Sequence, residues 1–369
     1  MATTKRFILS IDGGGMRGLI PLRVLEALEG RLAQAGVELP MHRLFDLMCG
    51  SSTGGLIAAG LAAPRIEVGL AGNPSPHRGE AAATLAELRR FFEEDARTLL
   101  THSLGKRLSR FVTNPLGVFD ERYDSRPLEQ LLKDRFGWTS MQSALTHLLL
   151  TGYDIEHRRT LLMGTVPTAG DMRPDDYYIW QAARGALAAP SFLEPARVDN
   201  LTLGRQETII DGSIVHADPV LVAYSAARKL GWAPRDIVIL SLGVGRAPDR
   251  AIDPAKAENW GAHGWMLPSN GAPVWSILTS AQSEGIADAA SLMFNEMNGP
   301  TYIRIDGLVP AEAEDWDNAR PGNLLLLNGA ADRIIRDHAQ VLDRLAAIMA
   351  ATLAGDNTLS NDLVDVAAA

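Results

Sequence analysis

A serine flanked by glycines is the first candidate for chemistry in this chain. Residues 50–54 read G-S-S-T-G, a G-x-S-x-G pattern that lies between an apolar run and a helical pattern. In that context the motif predicts a nucleophile on a strained turn between a strand and a helix. The glycines let neighbouring backbones approach without a Cβ clash. The spacing therefore selects Ser52 as the nucleophile, with Gly50 and Gly54 as motif glycines.

A glycine-rich turn, D-G-G-G-M-R-G at residues 12–18, follows the first apolar run. Successive glycine amides can form an oxyanion hole, which stabilises the oxygen that becomes negative during acyl transfer. Gly13, Gly15 and Gly18 also spell G-x-G-x-x-G, so a nucleotide-binding turn is an alternative. The acids about twenty positions further on fall inside a predicted helix and not at a strand end, which disfavours a dinucleotide site.

A serine nucleophile also needs a base, and the sequence offers two kinds. Histidine is the usual base, and the histidines after Ser52 include His216, His263 and His338, none of them in a recognisable catalytic context. Asp211, in I-I-D-G-S, ends an apolar strand at a glycine turn, and ligands collect at such sheet edges. On these residues alone, a Ser-His-Asp esterase or thioesterase stays open beside a Ser-Asp pair.

Two strand-turn-helix units position these motifs. The first is a strand at Arg6 to Ile11, the glycine turn, and a helical pattern from Leu19 to Leu32. The second is the run Leu44 to Cys49, followed by Leu56 to Ala63. Such units predict an α/β fold with a largely parallel sheet and helices against it. Further strands are predicted at His147 to Tyr153, Arg159 to Gly164, Thr208 to Ile210 and Asp236 to Leu242, with a helix at Val220 to Leu230.

Three segments outside these units have patterns of their own. Pro64 to Glu80 is predicted to be a loop that serves as a lid or as a solvated connection, and Leu85 to Leu100 an amphipathic helix. Ile334 to Thr352 predicts a helix whose apolar stripe includes His338 as a core histidine. Ala96 to Phe119 contains Arg97, Lys106, Arg107 and Arg110 and no acid. Basic residues among apolar ones are typical of contact with an anionic membrane surface, and a solvated face is the alternative.

Composition excludes several classes of protein. The 369 residues carry a net charge of -9, which disfavours a nucleic-acid polymer as partner. The single cysteine, Cys49, excludes an intrachain disulfide and a multi-cysteine metal site. The N-terminal residues lack the apolar stretch of a signal peptide, so we expect a cytoplasmic location. The uncharged run from Leu47 to Pro64 contains several glycines and is interpreted as a strand, a turn and a buried helix, not a membrane span.

Taken together, D-G-G-G-M-R-G, G-S-S-T-G-G and D-G-S resemble the motifs of the patatin-like phospholipase family. A-L-A-A-P-S-F at Ala186 to Phe192 is similar to the family's S-A-A-P segment, and L-S-L-G-V-G at Leu240 to Gly245 to its L-S-L-G-T-G strand. The chain departs from the pattern at Ser213, where the family has Gly or Ala, and at H-A-D-P, residues 216–219, where many members have an Asn-rich turn.

The resemblance implies a role for each matching residue. By motif, Ser52 is the nucleophile and Asp211 the base that takes its proton. Gly13, Gly14, Gly15 and Arg17 line the oxyanion hole, and Gly18, Gly50, Gly54 and Gly212 are motif glycines. The implied fold has three layers, with a catalytic core at 6–246 in which 64–120 is a lid or insert region. Residues 247–355 are expected to pack on that core, and 356–369 to form a disordered tail.

The resemblance also implies a lipid acyl hydrolase of the phospholipase A or lysophospholipase type, acting without a metal or organic cofactor. The expected partner is a membrane phospholipid or another acyl lipid, met by transient contact at the inner membrane surface. Some bacterial members of the family are anti-phage effectors switched on by cyclic nucleotides. We therefore expect restraint by a small-molecule activator of that kind or by homo-oligomerisation.

Overall fold

The fold is described from a computed structural model. It describes residues 5–68, 74–101, 123–167, 173–247, 252–261, 264–265, 273–296, 299–313 and 315–355. The strands are β1 (Arg6–Ile11), β2 (Leu47–Gly50), β3 (Pro64–Val68), β4 (Pro74–Ala81), β5 (His147–Asp154), β6 (Arg159–Gly164), β7 (Ala196–Asn200), β8 (Arg205–Asp211), β9 (Ile237–Leu242) and β10 (Thr301–Ile305).

The α-helices alternate with these strands along most of the chain. They are α1 (Leu19–Gln34), α2 (Met41–Leu44), α3 (Thr53–Ala62), α4 (Leu85–Arg90), α5 (Ala96–Thr101), α6 (Arg126–Phe136), α7 (Ile179–Ala186), α8 (Val220–Lys229), α9 (Pro254–Ala257), α10 (Pro273–Glu296), α11 (Pro321–Asp337) and α12 (Ala339–Leu353). A π-helical turn, Phe91–Asp95, joins α4 to α5.

A mixed sheet forms the centre of the fold, in the order β10-β9-β1-β2-β5-β8-β7, with β6 also paired to β5. The five strands from β10 to β5 are parallel to their neighbours, while β8, β7 and β6 pair antiparallel. The prediction of an α/β fold with a largely parallel sheet is confirmed.

Helices cover both faces of this sheet. Along β1, Phe7, Leu9 and Ile11 belong to one buried cluster, shared with α1, α3, α11 and α12. Ile8, between them, belongs to a second cluster, shared with α8 and α10. Successive side chains of a strand point to opposite faces, so β1 is buried on both sides. The architecture is therefore three layers, helix on sheet on helix.

Strand β5 sets the distance between the two candidate catalytic segments. Its residue Leu150 is paired with Gly50 of β2, and its residue Gly152 with Asp211 of β8. Strand β6 occupies the opposite edge of β5 along both stretches, so β2 and β8 share one edge. At about 3.3 Å per residue, the ends of β2 and β8 therefore lie roughly two residues apart.

The C-terminal part of the chain completes the same sheet. Strand β10 is parallel to β9, in register from Thr301 with Val238 to Ile305 with Leu242. Helices α11 and α12 pack against α1, where Arg23 pairs with Asp332 and Arg31 with Asp343. Residues after 247 thus contribute a strand and helices on both faces of the sheet.

Most of the predicted elements are found, with differences at two places. The strands predicted near β5, β6, β8 and β9 and the helix at α8 are confirmed, and Leu85 to Leu100 is helical through α4, the π-turn and α5. The predicted loop at Pro64 to Glu80 is wrong in part, because β3 and β4 form an antiparallel pair there. The helix predicted from Ile334 to Thr352 is broken at His338, where α11 ends before α12 begins.

Two predictions concern segments beyond the described residues. Lys106, Arg107 and Arg110 of the basic segment and the tail after residue 355 lie outside them. Within the described ranges, no helix combines the length and the apolar character needed to cross a bilayer. The uncharged run from Leu47 to Pro64 forms β2, the serine turn and the buried helix α3, as predicted.

Candidate active site

The serine turn connects β2 to α3 through a strained residue. Ser52 has φ 50° and ψ −124°, a conformation that side-chain-bearing residues rarely adopt. Such strain costs about 1–3 kcal/mol and persists only where the surroundings impose it. Helix α3 begins at Thr53, so the hydroxyl of Ser52 lies at the positive end of a helix dipole.

The two motif glycines are required by close backbone approach. A Cβ on Gly50 would collide with the Gly54 carbonyl, and a Cβ on Gly54 would collide with the carbonyl of Ile11 at the end of β1. The turn is also tied to β1 by a 3.1 Å hydrogen bond from the Ser51 amide to the Ile11 carbonyl. The G-x-S-x-G spacing therefore reflects how tightly β1, the turn and α3 pack together.

Ser52 and Asp211 meet in a direct hydrogen bond. The Ser52 Oγ donates to Asp211 Oδ2 at 2.6 Å, across 159 positions of sequence. The other carboxylate oxygen, Oδ1, accepts from the Ser213 amide at 2.8 Å. Asp211 is fully buried and Ser52 nearly so. The structure thus brings together the two residues that the motifs single out.

Burial raises the pKa of Asp211 to about 6. Desolvation disfavours the charged carboxylate, while hydrogen bonds from Ser52 and Ser213 oppose the rise because they favour it. At neutral pH the carboxylate is therefore ionised, yet it is a stronger base than an exposed aspartate, whose pKa is about 3.9. Such a group is suited to accept a proton from a neighbouring hydroxyl.

A chain of hydroxyls supports this pair from behind. Thr151 Oγ1 donates to Ser51 Oγ at 3.0 Å, and Ser51 Oγ lies 3.1 Å from Ser213 Oγ. All three residues are buried. Ser213, the departure from the family motif, therefore has a hydrogen-bonding role. The sequence did not reveal this role because no motif links Ser213 to Ser51 and Thr151.

Some backbone amides of the glycine-rich turn donate hydrogen bonds within the protein, and others have no acceptor among the described residues. The Gly13 amide donates to the Ala217 carbonyl at 3.0 Å, and the Met16 amide to the Trp316 carbonyl at 2.6 Å. Among the described residues, no hydrogen bond uses the amides of Gly14 or Gly15. Gly13 therefore lines the site with its amide already engaged, and Gly14 and Gly15 are the candidate oxyanion donors.

Arg17 holds the turn in place. Its buried guanidinium donates from Nη1 to the Gly245 carbonyl at 3.1 Å, and its Nε lies 3.5 Å from the Gly14 carbonyl. The Arg17 amide also donates to the Gly14 carbonyl. Because the peptide unit is planar and trans, fixing the Gly14 carbonyl also fixes the opposite direction of the Gly15 N–H. Arg17 thus orients a candidate oxyanion donor.

A buried ion cluster, formed by Arg304, Asp12, Asp218 and Asp306, lies beneath the turn. Arg304 donates to both carboxylate oxygens of Asp12, at 2.8 and 2.7 Å. It also lies 3.2 Å from Asp218 and 3.3 Å from Asp306. Sequence reasoning missed this cluster, because strand β10, which carries Arg304, matches no motif.

Two cavities meet at Ser52. One has a volume of about 140 Å³ and is largely apolar, with walls that include Leu56, Phe92, Leu100 and Phe192. The other is smaller and more polar; it is lined by Gly13, Gly14, Arg17, Ser52, Ser213, Trp275, Ser276, Thr279, Asp315 and Trp316. Ser52 therefore lies between an apolar cavity and a polar cavity of about 20 Å³, which has room for a few polar atoms.

The alternative histidine bases are not seen beside Ser52. His216 is half-buried, and burial lowers its pKa. The His338 ring bonds through Nδ1 to the Ile334 carbonyl of its own helix, at 2.9 Å. His263 lies outside the described residues. In the part of the chain that the structure describes, the carboxylate of Asp211 is the acceptor for the Ser52 hydroxyl.

The nucleotide alternative also loses support from the packing of the turn. A Cβ on Gly14 would lie 2.6 Å from a methyl of Val244, and one on Gly18 would lie 2.9 Å from the Phe92 ring. A Cβ on Gly15 would collide with Trp316. These glycines are needed for contacts within the protein, whereas a dinucleotide site uses its glycines to admit a pyrophosphate.

Comparison with known proteins agrees with this geometry. The sequence model of the patatin-like phospholipases matches residues 9–224, more than half of the chain. The chain belongs to the patatin-like phospholipase family. The match covers the glycine turn, the serine turn and Asp211, and it ends before β9, β10 and the helices that follow. Lipid acyl hydrolysis is the general activity of this family.

Curated members of the patatin-like family align over most of the chain. Patatin-like protein 2 of Arabidopsis thaliana is 27% identical over 354 residues, which is 89% of this chain and 82% of that protein. Patatin-17 of Solanum cardiophyllum is 26% identical, with 89% and 83% covered. A Solanum tuberosum relative at 24% identity is named a probable inactive patatin. The solved structure of VipD from Legionella pneumophila covers 99% of this chain at 12% identity, with a TM-score of 0.38.

The strain at the patatin-type serine turn can be measured. We expect Ser52→Gly to be more stable than Ser52→Ala by about 1 kcal/mol. Glycine relieves backbone strain of about 1–3 kcal/mol and costs up to about 1 kcal/mol in chain entropy. Both variants lack the hydroxyl, so the loss of the Asp211 hydrogen bond cancels in the comparison. Urea unfolding measures the difference, and an alanine variant as stable as the glycine variant would contradict the strain.

The ion cluster makes a second stability prediction. Burial, together with the neighbouring charge of Asp12, raises the pKa of Asp218 to about 7. The pKa of Asp218 is thus higher in the folded state than in the unfolded state, where it is about 4. Ionisation of Asp218 therefore lowers the free energy of unfolding as pH rises from about 4 to about 7. Asp218→Asn keeps an acceptor for the Val220 amide and does not titrate. We expect it to raise Tm relative to wild type at pH 8 and much less at pH 5; a Tm difference that does not change with pH would contradict this.

Proposed function

We propose that this protein hydrolyses acyl esters of lipids through a dyad of Ser52 and Asp211. The observation that carries the proposal is the 2.6 Å hydrogen bond from the serine hydroxyl to a buried carboxylate. The raised pKa of Asp211 supports its role as general base. The position of Ser52 on the tight turn, at the junction of two cavities, supports its role as nucleophile.

In the proposed reaction Ser52 Oγ attacks the ester carbonyl carbon while Asp211 takes the hydroxyl proton. The carbonyl oxygen becomes negative and is stabilised by the amides of Gly14 and Gly15. The tetrahedral intermediate collapses, Asp211 returns the proton to the departing alcohol, and an acyl ester remains on Ser52. Water then loses a proton to Asp211 and attacks the acyl carbonyl. The bond from the acyl carbon to Ser52 Oγ breaks, Asp211 returns the proton to Ser52 Oγ, and the fatty acid is released.

The two cavities support an amphiphilic substrate of the phospholipase A or lysophospholipase kind. An acyl chain fits the apolar cavity, where Phe91, Phe92, Ala96 and Leu100 come from the helical segment after β4. The polar cavity, with Ser213, Ser276 and Thr279, has a volume of about 20 Å³ and suits the polar atoms next to the scissile bond. Ser52 lies where the scissile bond of such a molecule would be.

We further propose a location and a mode of control, which rest on the N-terminal residues, the basic segment and the family resemblance. The protein is cytoplasmic and contacts the inner membrane surface through the basic segment Ala96 to Phe119. Its activity is restrained by oligomeric state or by a cyclic nucleotide. The role of an anti-phage effector follows from the same resemblance. Apart from Ala96 to Thr101, the basic segment lies outside the described residues.

A fluorophosphonate probe tests the dyad directly. We expect the probe to label Ser52, as identified by mass spectrometry of the peptide, at a rate that rises with pH around an apparent pKa of about 6. Asp211→Asn should reduce labelling by at least about 10²-fold, because a base contributes about 10²–10⁴-fold. Ser280→Ala, an exposed serine on α10, is the matched control and should label as wild type does. Undiminished labelling of Asp211→Asn would contradict the dyad and favour a histidine base.

Chain-length preference tests the apolar cavity. Ala96 is buried at the cavity wall, and a phenylalanine in its place would fill much of the 140 Å³ volume. We expect Ala96→Phe to lower kcat/KM for long-chain p-nitrophenyl esters at least about tenfold, with the acetate ester little affected, because one lost methylene contact is worth about 1 kcal/mol. Ala35→Phe, at an exposed helix end, is the control. An equal loss on all chain lengths would show that the cavity does not hold the acyl chain.

A further inference from the structure

Arg304 is the centre of the ion cluster and lies on β10, outside the segment that the family model matches. Besides Asp12, Asp218 and Asp306, its guanidinium donates to Ser241 Oγ at 2.8 Å and lies 3.3 Å from Ser283 Oγ. The cluster therefore joins β1, β9, β10, α10 and the segment before α8. Asp12 and the segment of Asp218 connect directly to the glycine turn, and Asp306 connects to it through Gly245 and Arg17.

The first connection runs through Asp12, the residue immediately before Gly13. Its two carboxylate oxygens are held by the fork of Arg304, and Oδ2 also accepts from Ser283 at 2.7 Å. Its backbone amide donates to the Leu242 carbonyl at 3.0 Å. The side chain and the main chain of Asp12 are thus both fixed, which sets where the glycine turn begins.

The second connection runs through Asp306 to the middle of the turn. Asp306 Oδ1 accepts from the Gly245 amide at 2.9 Å. The Gly245 carbonyl in turn accepts from Arg17, which holds the Gly14 carbonyl. Arg304 therefore acts, through Asp306, Gly245 and Arg17, on the peptide unit that carries the Gly15 N–H.

The third connection runs through Asp218 to Gly13. Asp218 Oδ1 accepts from the Val220 amide at 2.9 Å, which fixes the segment before α8. The preceding residue, Ala217, provides the carbonyl that accepts from the Gly13 amide. Three carboxylates thus hold three different parts of the turn, and one guanidinium holds the three carboxylates.

The charge balance indicates that this cluster does not serve stability. The buried carboxylates of Asp12 and Asp218 and the partly buried one of Asp306 face the Arg304 guanidinium, with Arg246 4.0 Å from Asp306 as the second cation. Burial of even a matched ion pair is often no more stabilising than apolar packing. Desolvation of the unmatched carboxylates adds a further cost. An arrangement with a cost in stability beside a candidate oxyanion hole is consistent with a role in positioning.

We propose that Arg304 is a positioning residue for the oxyanion hole, and that its bidentate fork aligns the amides of Gly14 and Gly15 with the reacting oxygen. The inference rests on the proposed hydrolase function. Arg304 does not touch the substrate in this account. It acts through Asp12 and through the path that ends at Arg17.

Arg304→Lys tests the proposal, because lysine keeps the charge and cannot reproduce the fork. With a soluble short-chain ester we expect kcat to fall about 10- to 100-fold, by comparison with about 10²–10³ for loss of a whole oxyanion donor. KM should stay within about twofold of wild type, since positioning of the oxyanion acts in the transition state. The acid limb of the pH profile should stay near its wild-type position, because it reports Asp211.

A second readout separates positioning from a general loss of structure. An alkyl trifluoromethyl ketone adds to the catalytic serine and places an oxyanion in the hole, so its inhibition constant should weaken about as much as kcat falls. Arg23→Lys, which alters an ion pair on α1 outside the site, is the matched control and should change neither quantity. If Arg304→Lys unfolds, Asp12→Asn, which keeps one acceptor for the guanidinium, should show the same pattern with a smaller effect.

The outcomes are distinguishable from failure of the proposed function. A wild-type protein that neither hydrolyses esters nor reacts with the fluorophosphonate would reject the hydrolase itself. An active wild type with an unchanged kcat in a folded Arg304→Lys variant would reject the positioning role alone. A rise in KM with constant kcat would also reject it, because that pattern belongs to a residue that binds the substrate in its ground state.

Discussion

The close approach of three backbone segments around Ser52 is the constraint on which the rest of the site depends. A Cβ on Gly13 would lie 2.9 Å from the Cβ of Ser52, and one on Gly54 would collide with the end of β1. Only glycines at these positions allow β1, β2 and their turns to meet. The same compression forces Ser52 into its positive φ, which turns its side chain toward Asp211. The glycines of the sequence motifs are therefore required by backbone packing as well as by the proposed chemistry.

Two buried carboxylates in this site have different hydrogen-bond partners, although desolvation raises the pKa of both. Asp211 is hydrogen bonded by a hydroxyl and an amide, and burial keeps its pKa raised to about 6. Asp12 instead receives the bidentate guanidinium of Arg304. A cation beside Asp211 would lower its pKa and weaken it as a base. In the proposed reaction, the separation of the two groups lets Asp211 exchange a proton while Asp12 fixes the backbone.

The sequence predicted the elements whose signals are local. Apolar runs that stop at glycine-containing turns predicted strand β1 and the turns at Ser52 and Asp211. Compact apolar runs predicted the strands β5, β6 and β9. The β3–β4 pair was missed because Pro74, Pro76 and Gly79 are typical of loops, although an isolated edge pair tolerates them. Arg304 and Trp316 were missed for a different reason. Their contacts with the glycine turn span roughly 290 to 300 residues of sequence, and no local pattern encodes such a pairing.

The features that lower stability at this site lie at or next to the residues that the proposed reaction uses. Ser52 is strained, Asp211 is buried with no ion pair to any described cation, and three carboxylates share Arg304. The burial of β1, β2 and β9 on both faces supplies the compensating apolar contacts. Because donors and base are already fixed before a substrate arrives, little reorganisation is left for the transition state. In the proposed reaction, Ser52, Asp211 and the support of the glycine turn, not the sheet itself, therefore provide the groups that are fixed in advance.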